Sequence, residues 1–329
     1  MRVGITGGNG FIGNHLTRYV SSLGHETMVL LQPGTSAANL AGHVHQIFWG
    51  DITQQESLSP FLKHCDVVFH LAGLNTYWTR DPGVFHLVNY VGTRNVAVAC
   101  LSHHIKKLVH VSSCITLGAS GHPIARNEDA EFNLDGFSFL YAETKKAGED
   151  AVKEMIRSKG LPAVIVNPTS AIGEMDFGPT PIGKPIADIC RGMWPAYVSG
   201  GACFIDVHDV VRGLWLAMEK GRMGEQYLLA GDNLSNKDFM TKVSVLAGKK
   251  KPKIRVPKPV LKTVAHFGEW YAYNVSLKHP PLTIGMTSVI GKYLYFDGAK
   301  AKTELGFEAT PCDGAIQRCI EWFRETGRI

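Results

Sequence analysis

Tyr141 and Lys145, in Tyr141-Ala142-Glu143-Thr144-Lys145, stand four residues apart and share one face of any helix that contains them. A phenol titrates at about 10 and exchanges protons poorly at neutral pH. An ammonium one turn away stabilises the phenolate and is expected to lower that value. Tyr141 would then act as general acid in a reduction or general base in an oxidation, and Lys145 could also hold a ribose. Such pairs are common on exposed helices, so a companion feature is needed. Leu108-Val109-His110-Val111-Ser112-Ser113 reads as a strand ending in two hydroxyls. At the carboxyl end of a sheet, Ser113 could hydrogen-bond and polarise a carbonyl oxygen.

A third feature opens the chain. Thr6-Gly7-Gly8-Asn9-Gly10-Phe11-Ile12-Gly13 spaces its glycines GxxGxxG, directly after an apolar strand at 2–6 and at the head of an apolar-periodic helix. Gly7 permits the tight turn, Gly10 lets backbone approach a pyrophosphate, and Gly13 lets the helix pack on the strands. The pyrophosphate would lie at the positive end of the helix dipole, against Gly7, Asn9, Gly10, Phe11, Ile12 and Gly13. The end of the second strand selects the cofactor: a carboxylate accepts the ribose 2′-OH of NAD, and an Arg favours the 2′-phosphate of NADP. Leu30-Leu31-Gln32-Pro33 has no carboxylate, which favours NADP, and Gln32 can donate to a phosphate oxygen. At the next strand end, Asp51 could accept from the adenine amine while the Ile52 N–H donates to the ring; the plainer role for Asp51 is a cap.

These residues need a scaffold that brings strand ends together. Apolar runs at 2–6, 27–31, 44–49, 66–71, 107–112 and 163–166 read as buried strands. Helical patterns lie between them, notably 82–100 and 138–159. Uniformly apolar strands alternating with helices predict an α/β fold: a Rossmann doubly wound parallel sheet with a smaller C-terminal α/β substrate-binding region. The division is drawn at 1–168 for the dinucleotide-binding half and 169–329 for a mainly substrate-binding cap. Residues 173–201 read as irregular. Helices are expected at 206–219, 236–247, 260–275 and 311–325, and a strand at 226–230.

With the glycine turn, strand-end serine and YxxxK in that chain order, the sequence resembles an extended short-chain dehydrogenase/reductase of the epimerase/dehydratase kind. Further motifs carry the resemblance: Gly50-Asp51-Ile52, the turn His70-Leu71-Ala72-Gly73, Asn89-Tyr90-Val91-Gly92-Thr93 and Val111-Ser112-Ser113. It departs at Gly73, where alanine is usual, and at Gln32. The resemblance implies Ser113, Tyr141 and Lys145 as catalytic residues. It implies cofactor contacts from Leu71, Ala72, Gly73, Tyr141, Lys145, Pro168 and Ser170, with residues 168–170 positioning the nicotinamide amide. Asn89 would tie its helix to the neighbouring strand. A homodimer is the family habit.

Three function classes compete: a carbonyl reductase or alcohol dehydrogenase, a nucleotide-sugar epimerase or dehydratase, and a non-catalytic dinucleotide-binding protein. Nucleotide-sugar enzymes neutralise a diphosphate with arginines. The segments where they carry them, 163–170 and 200–209, contain none, although Arg191 and Arg212 lie near. Tyr77, Trp78, Met175, Phe177, Met193, Trp194, Tyr197 and Phe204 instead suggest an apolar pocket for a hydrophobic ketone, aldehyde or alcohol. The segments 167–183 and 195–198 most resemble the dihydroflavonol-reductase-like, hopanoid-associated branch.

Composition narrows the field further. A net charge of +5, scattered apart from Lys249, Lys250, Lys251 and Lys253, gives no broad basic face for nucleic acid. Seven cysteines without CxxC or zinc spacing read as buried thiols in a reducing compartment, with no metal, and point to the cytoplasm. No apolar run approaches the roughly 20 residues of a membrane span. The apolar, Lys-flanked stretch 257–280 reads first as a core-packed amphipathic helix, and otherwise as a lid or a peripheral membrane contact.

Overall fold

The computed structural model describes every residue except Phe137, Pro179 and Trp194. In chain order its strands are β1 (Arg2–Thr6), β2 (Glu26–Leu31), β3 (Gln46–Trp49), β4 (Val67–His70), β5 (Lys107–Val111), β6 (Ala163–Pro168), β7 (Ser170–Ile172), β8 (Ala196–Tyr197), β9 (Gly201–Asp206), β10 (Gln226–Leu229), β11 (Asp232–Ser235), β12 (Ile254–Arg255) and β13 (Tyr293–Leu294). Seven of them form a sheet in the order β10-β6-β5-β4-β1-β2-β3. Every pairing in it is parallel.

Alternate residues of these strands feed opposite cores, which is why the strands read as continuously apolar. Ile5, Phe69 and Val109 pack with Leu16 and Val20 of the helix Phe11–Ser22 and Leu214 and Trp215 of the helix Val207–Lys220. Val68, Leu108 and Ile165 pack with Val96 of the helix Thr93–Ser102 and Val152 of the helix Leu140–Lys159. The chain leaves β1 through β2 and β3, then restarts at β4 on the other side of β1. A crevice opens at that reversal beyond the carboxyl ends of the strands, where open α/β sheets bind ligands.

Beyond residue 168 the chain is not all cap. Strand β10 pairs with β6 as the sheet's edge, and Val207–Lys220 covers one face. The remainder builds a smaller layer in which β9 pairs with β7, β11 and β13. Its core joins Ile186, Phe204, Phe239, Ile316 and Phe323. Residues 173–201, expected to be irregular, contain the helix Gly183–Cys190. Its proline, Pro185, sits in the first turn, where the missing N–H costs nothing. The loop before it is organised by Asp176, which accepts from the Thr180 N–H at 2.8 Å and the Thr180 hydroxyl at 2.9 Å. The expected helix at 82–100 is a composite: Gly83–His86, a π-helical segment Leu87–Gly92, then Thr93–Ser102.

Candidate active site

The glycine turn is dictated by close approach. Gly7 has φ +72°, and a Cβ there would lie 2.7 Å from the Ala72 N. A Cβ on Gly13 would lie 2.1 Å from the Gly7 carbonyl oxygen. Gly10 differs: a Cβ would meet only that same oxygen, at 3.3 Å. No side chain caps the helix at Gly10, so its first amides stay directed at the crevice. An anion-binding helix N-terminus needs both properties, so these residues fit a dinucleotide pyrophosphate.

The turn is braced from β4. The Thr6 hydroxyl lies 2.8 Å from His70 Nδ1 and accepts from the Ala72 N–H at 3.2 Å. His70 Nε2 lies 3.2 Å from the Thr93 hydroxyl. Leu71 and Gly73 line the crevice, while Ala72 is turned into this brace. Asn89, in the π-helical segment, accepts from the Leu74 N–H at 2.8 Å and donates to Thr144 at 3.2 Å. It thus ties the β4 loop to the helix that bears Tyr141.

A cleft of about 500 Å³ runs from the glycine turn past Val111, Ser113, Tyr141 and Lys145 to Pro168 and Ser170. Asn9, Phe11 and Ile12 line it too. Ser113 stands two residues beyond β5 and caps the following turn, accepting from the Ile115 N–H at 3.3 Å. The same hydroxyl favours the charged form of Tyr141. Tyr141 stands edge-on to Tyr77 at 5.5 Å, and Tyr77 to Phe139 at 5.2 Å. Lys145 Nζ donates to the Val111 carbonyl at 3.1 Å.

One expectation fails here. Burial among these rings pushes the Tyr141 phenol up to about 12, and the Ser113 hydroxyl only partly offsets that. Burial also pulls Lys145 down to about 8, against the pull of Glu149 upward. Within the protein's own groups, desolvation outweighs the one neighbour that favours the phenolate, the Ser113 hydroxyl.

Glu149, one turn beyond Lys145, was not singled out from sequence. It is fully buried and accepts from Ser112 and Thr116 at 2.7 Å, from Asn167 at 2.8 Å and from Lys153 at 2.8 Å. Those donors hold its carboxyl below the usual range although burial opposes them. Asn167 adjoins Pro168, so one carboxylate joins the serine loop, the lysine helix and the cleft floor. The spacing Tyr141, Lys145, Glu149, Lys153 was the available signal. Asp176 also lines the cleft, and burial raises its carboxyl to about 6; nothing in its loop sequence marked it.

At the adenosine end, Gln32 is exposed and donates to Asp51 at 3.0 Å. Asp51 also caps the next segment, accepting from the Thr53 N–H at 2.9 Å. Ile52 is buried against Gly92, where a Cβ would lie 2.6 Å from its side chain. None of Gln32, Asp51 and Ile52 lines the cleft.

The aromatic pocket is corrected more widely. Of its eight residues, Tyr77 and Phe177 line the cleft. Phe204 is core, stacked on Phe239 at 3.9 Å. Tyr197 packs on that core, Met193 is exposed, and Trp78 lines a neighbouring cavity. Met175 does not line the cleft, and Trp194 and Pro179 lie outside the described residues. Aromatic residues served the cap's own core, which competes with the pocket for the same side chains.

Residues 3–230 match the NAD dependent epimerase/dehydratase family. The chain belongs to that family. It is an NAD(P)-dependent oxidoreductase of the extended short-chain dehydrogenase/reductase type. A Synechocystis sp. protein that bears a dihydroflavonol 4-reductase name is 28% identical, covering 99% of this chain and 95% of the relative. Sterol demethylase protein B of Methylococcus capsulatus is 27% identical, covering 99% of each. Among solved structures, gox2253 is 34% identical with a TM-score of 0.87, covering 99% of each chain. PA4631 of Pseudomonas aeruginosa, described as a nucleoside-diphosphate-sugar epimerase, is 26% identical with a TM-score of 0.80, covering 99% of this chain and 98% of that one.

Proposed function

We propose that this enzyme reduces a ketone or aldehyde on a fairly hydrophobic small molecule, or oxidises the matching alcohol. The cleft's lining carries the reading: among the described residues it contains no arginine, and Lys145 is its single cation. A nucleotide diphosphate would lack a guanidinium fork there. Arg191 is instead bound to Asp188 and the Arg328 carbonyl, and Arg212 to Asp209 and the Glu308 carbonyl. The names of the curated relatives, a ketoreductase of Stigmatella aurantiaca among them, lend support.

When bound, the nicotinamide supplies or takes the hydride. Ser113 and Tyr141 present hydroxyls to the same cleft and would hold the substrate oxygen between them. In reduction, the Tyr141 phenol gives its proton to that oxygen. The phenolate left behind is stabilised by the Ser113 hydroxyl and by the Lys145 ammonium, which Val111 holds in place. A phenol raised to about 12 by burial would gain from that ammonium charge.

Sequence alone favoured NADP. The Gln32–Asp51 hydrogen bond supports NAD instead, because it sets a carboxylate beside the end of β2, where a 2′-phosphate would be repelled.

The test follows absorbance of NADH and NADPH with a panel of apolar ketones and aldehydes, with UDP-sugars in parallel, for the wild type and Tyr141→Phe. Net cofactor loss with a carbonyl, cut by roughly 10²-fold or more in the variant, is the expected result. Conversion of a UDP-sugar without net cofactor loss would replace this reading with an epimerase.

A further inference from the structure

The helix Lys258–Tyr271 carries two apolar faces. One is spent: Ala265 is buried, and just past the helix end Ala272 is too. Nearby anchors hold that side to the protein. Glu269 accepts from the Ile284 N–H at 2.7 Å, and Tyr273 packs on Trp78 at 5.2 Å. The other face points to solvent. Val260, Val264, Phe267, Tyr271 and Val275 recur at i, i+4, i+7, i+11 and i+15 and are all exposed, Phe267 at 70%; Trp270 beside them is 60% exposed. The core-packing expectation for the stretch 257–280 therefore fails for eight of its eleven apolar residues. A contiguous exposed patch of this kind marks an interaction surface.

Its charge says what covers it. Residues 249–268 contain seven Lys and Arg and no Asp or Glu. Among the described residues, none of those seven forms an ion pair. Lys258 is pulled down by burial and by the neighbouring Lys262 and Lys292, as crowded like charges require. A symmetric contact with a second copy through this face would set seven cations against seven. An anionic bilayer surface satisfies both halves of the pattern: phosphates meet the lysines, and Phe, Trp and Tyr enter the headgroup boundary.

We propose that the helix Lys258–Tyr271 and its basic leader dock this protein on anionic lipid surfaces. The patch lies beside the chemistry. A second cavity, of about 410 Å³, is lined by Trp78, Glu269, Tyr273 and Tyr77. Tyr77 also lines the main cleft and touches Tyr141. An apolar substrate leaving the lipid thus reaches the cleft along aromatic surface, a route that rests on the reductase reading above.

The experiment is co-sedimentation with vesicles of equal phosphatidylglycerol and phosphatidylcholine, against pure phosphatidylcholine. The wild type is expected to pellet with the anionic vesicles and to be released by high salt. Phe267→Ser/Trp270→Ser, at exposed positions, should weaken that binding about tenfold or more with an unchanged circular dichroism spectrum. Absence of pelleting with anionic vesicles overturns the proposal, as does binding that ignores the double substitution. Loss of a dimer in the variant by sedimentation velocity, without vesicle binding by the wild type, assigns the face to a second copy. The readout is binding, so its failure leaves the oxidoreductase reading intact, and a failed turnover assay leaves this one intact.

Discussion

Four ionisable side chains run along one face of the helix Leu140–Lys159: Tyr141, Lys145, Glu149 and Lys153. Glu149 bears on both lysines. Lys145 at about 8 is charged at neutral pH and loses that charge within the working range. Its folded value lies below its ordinary one, so chemistry that needs the ammonium is present below about pH 8 and lost above it. Glu149 raises Lys145, and removing it should therefore move the alkaline limb of the kcat profile to lower pH. Glu149→Gln is expected to cut kcat at pH 9 about threefold or more, with partial return in Glu149→Asp. A purely structural role would lower the melting temperature and leave the limb in place. The Tyr141–Lys145 pair and Ser113 were legible from residue type and spacing. The sign of the Tyr141 shift was not, because it depends on Tyr77 and Phe139, whose contact with Tyr141 comes only with folding.

At the scale of elements, β1, the glycine turn and the helix Phe11–Ser22 were readable because each requirement is local: a positive φ at Gly7 and close approach at Gly13. Cofactor choice was not local. On the proposed reading it turns on two strand ends, those of β2 and β3, which lie side by side in the sheet although Gln32 and Asp51 are 19 residues apart. Asp51→Asn removes the carboxylate from that corner. Its ratio of NADPH to NADH affinity should rise about fivefold or more, measured by fluorescence titration; an unchanged ratio would detach Asp51 from the choice. The helix Gly183–Cys190 was missed because glycine and proline signals dominate 173–183. Asp176, which orders that loop, acts through hydrogen bonds rather than periodicity.

Across the whole molecule, the two layers meet at an ionic cluster. Glu174 lies 2.6 Å from His208 Nε2 and accepts from Arg318 at 3.0 Å, while Arg318 also binds Asp206 at 2.5 Å. His15 of the first helix lies 2.9 Å from the Glu174 carbonyl. Burial pushes the Glu174 carboxyl up, but His208 and its neighbours outweigh that and hold it at about 2. The hydrogen bond to Glu174 raises His208 despite burial. The depressed Glu174 stabilises above its ordinary 4.5, a contribution lost as pH falls toward about 2. The raised His208 stabilises below its ordinary 6.5, a contribution lost as pH climbs through its folded value. Glu174→Gln should thus cost most between pH 4.5 and 6.5, about 1–2 kcal/mol by urea unfolding, with the deficit shrinking at higher pH. A deficit independent of pH would assign the loss to packing. All seven cysteines are free and buried, as their spacing suggested, so no covalent link adds to this junction.

The sequence by itself determined the α/β class, the glycine cradle and the identity of the Ser–Tyr–Lys trio, because backbone conformation, strand burial and helical spacing are short-range properties written in residue type. Tertiary structure alone decided which aromatics face the cleft and which fill the cap core. It also made Glu149 the joint between serine loop and lysine helix, and turned a Phe–Trp–Tyr stripe toward solvent. In each of those cases the deciding neighbour is remote in the chain, and a side chain's environment is set by what packs against it.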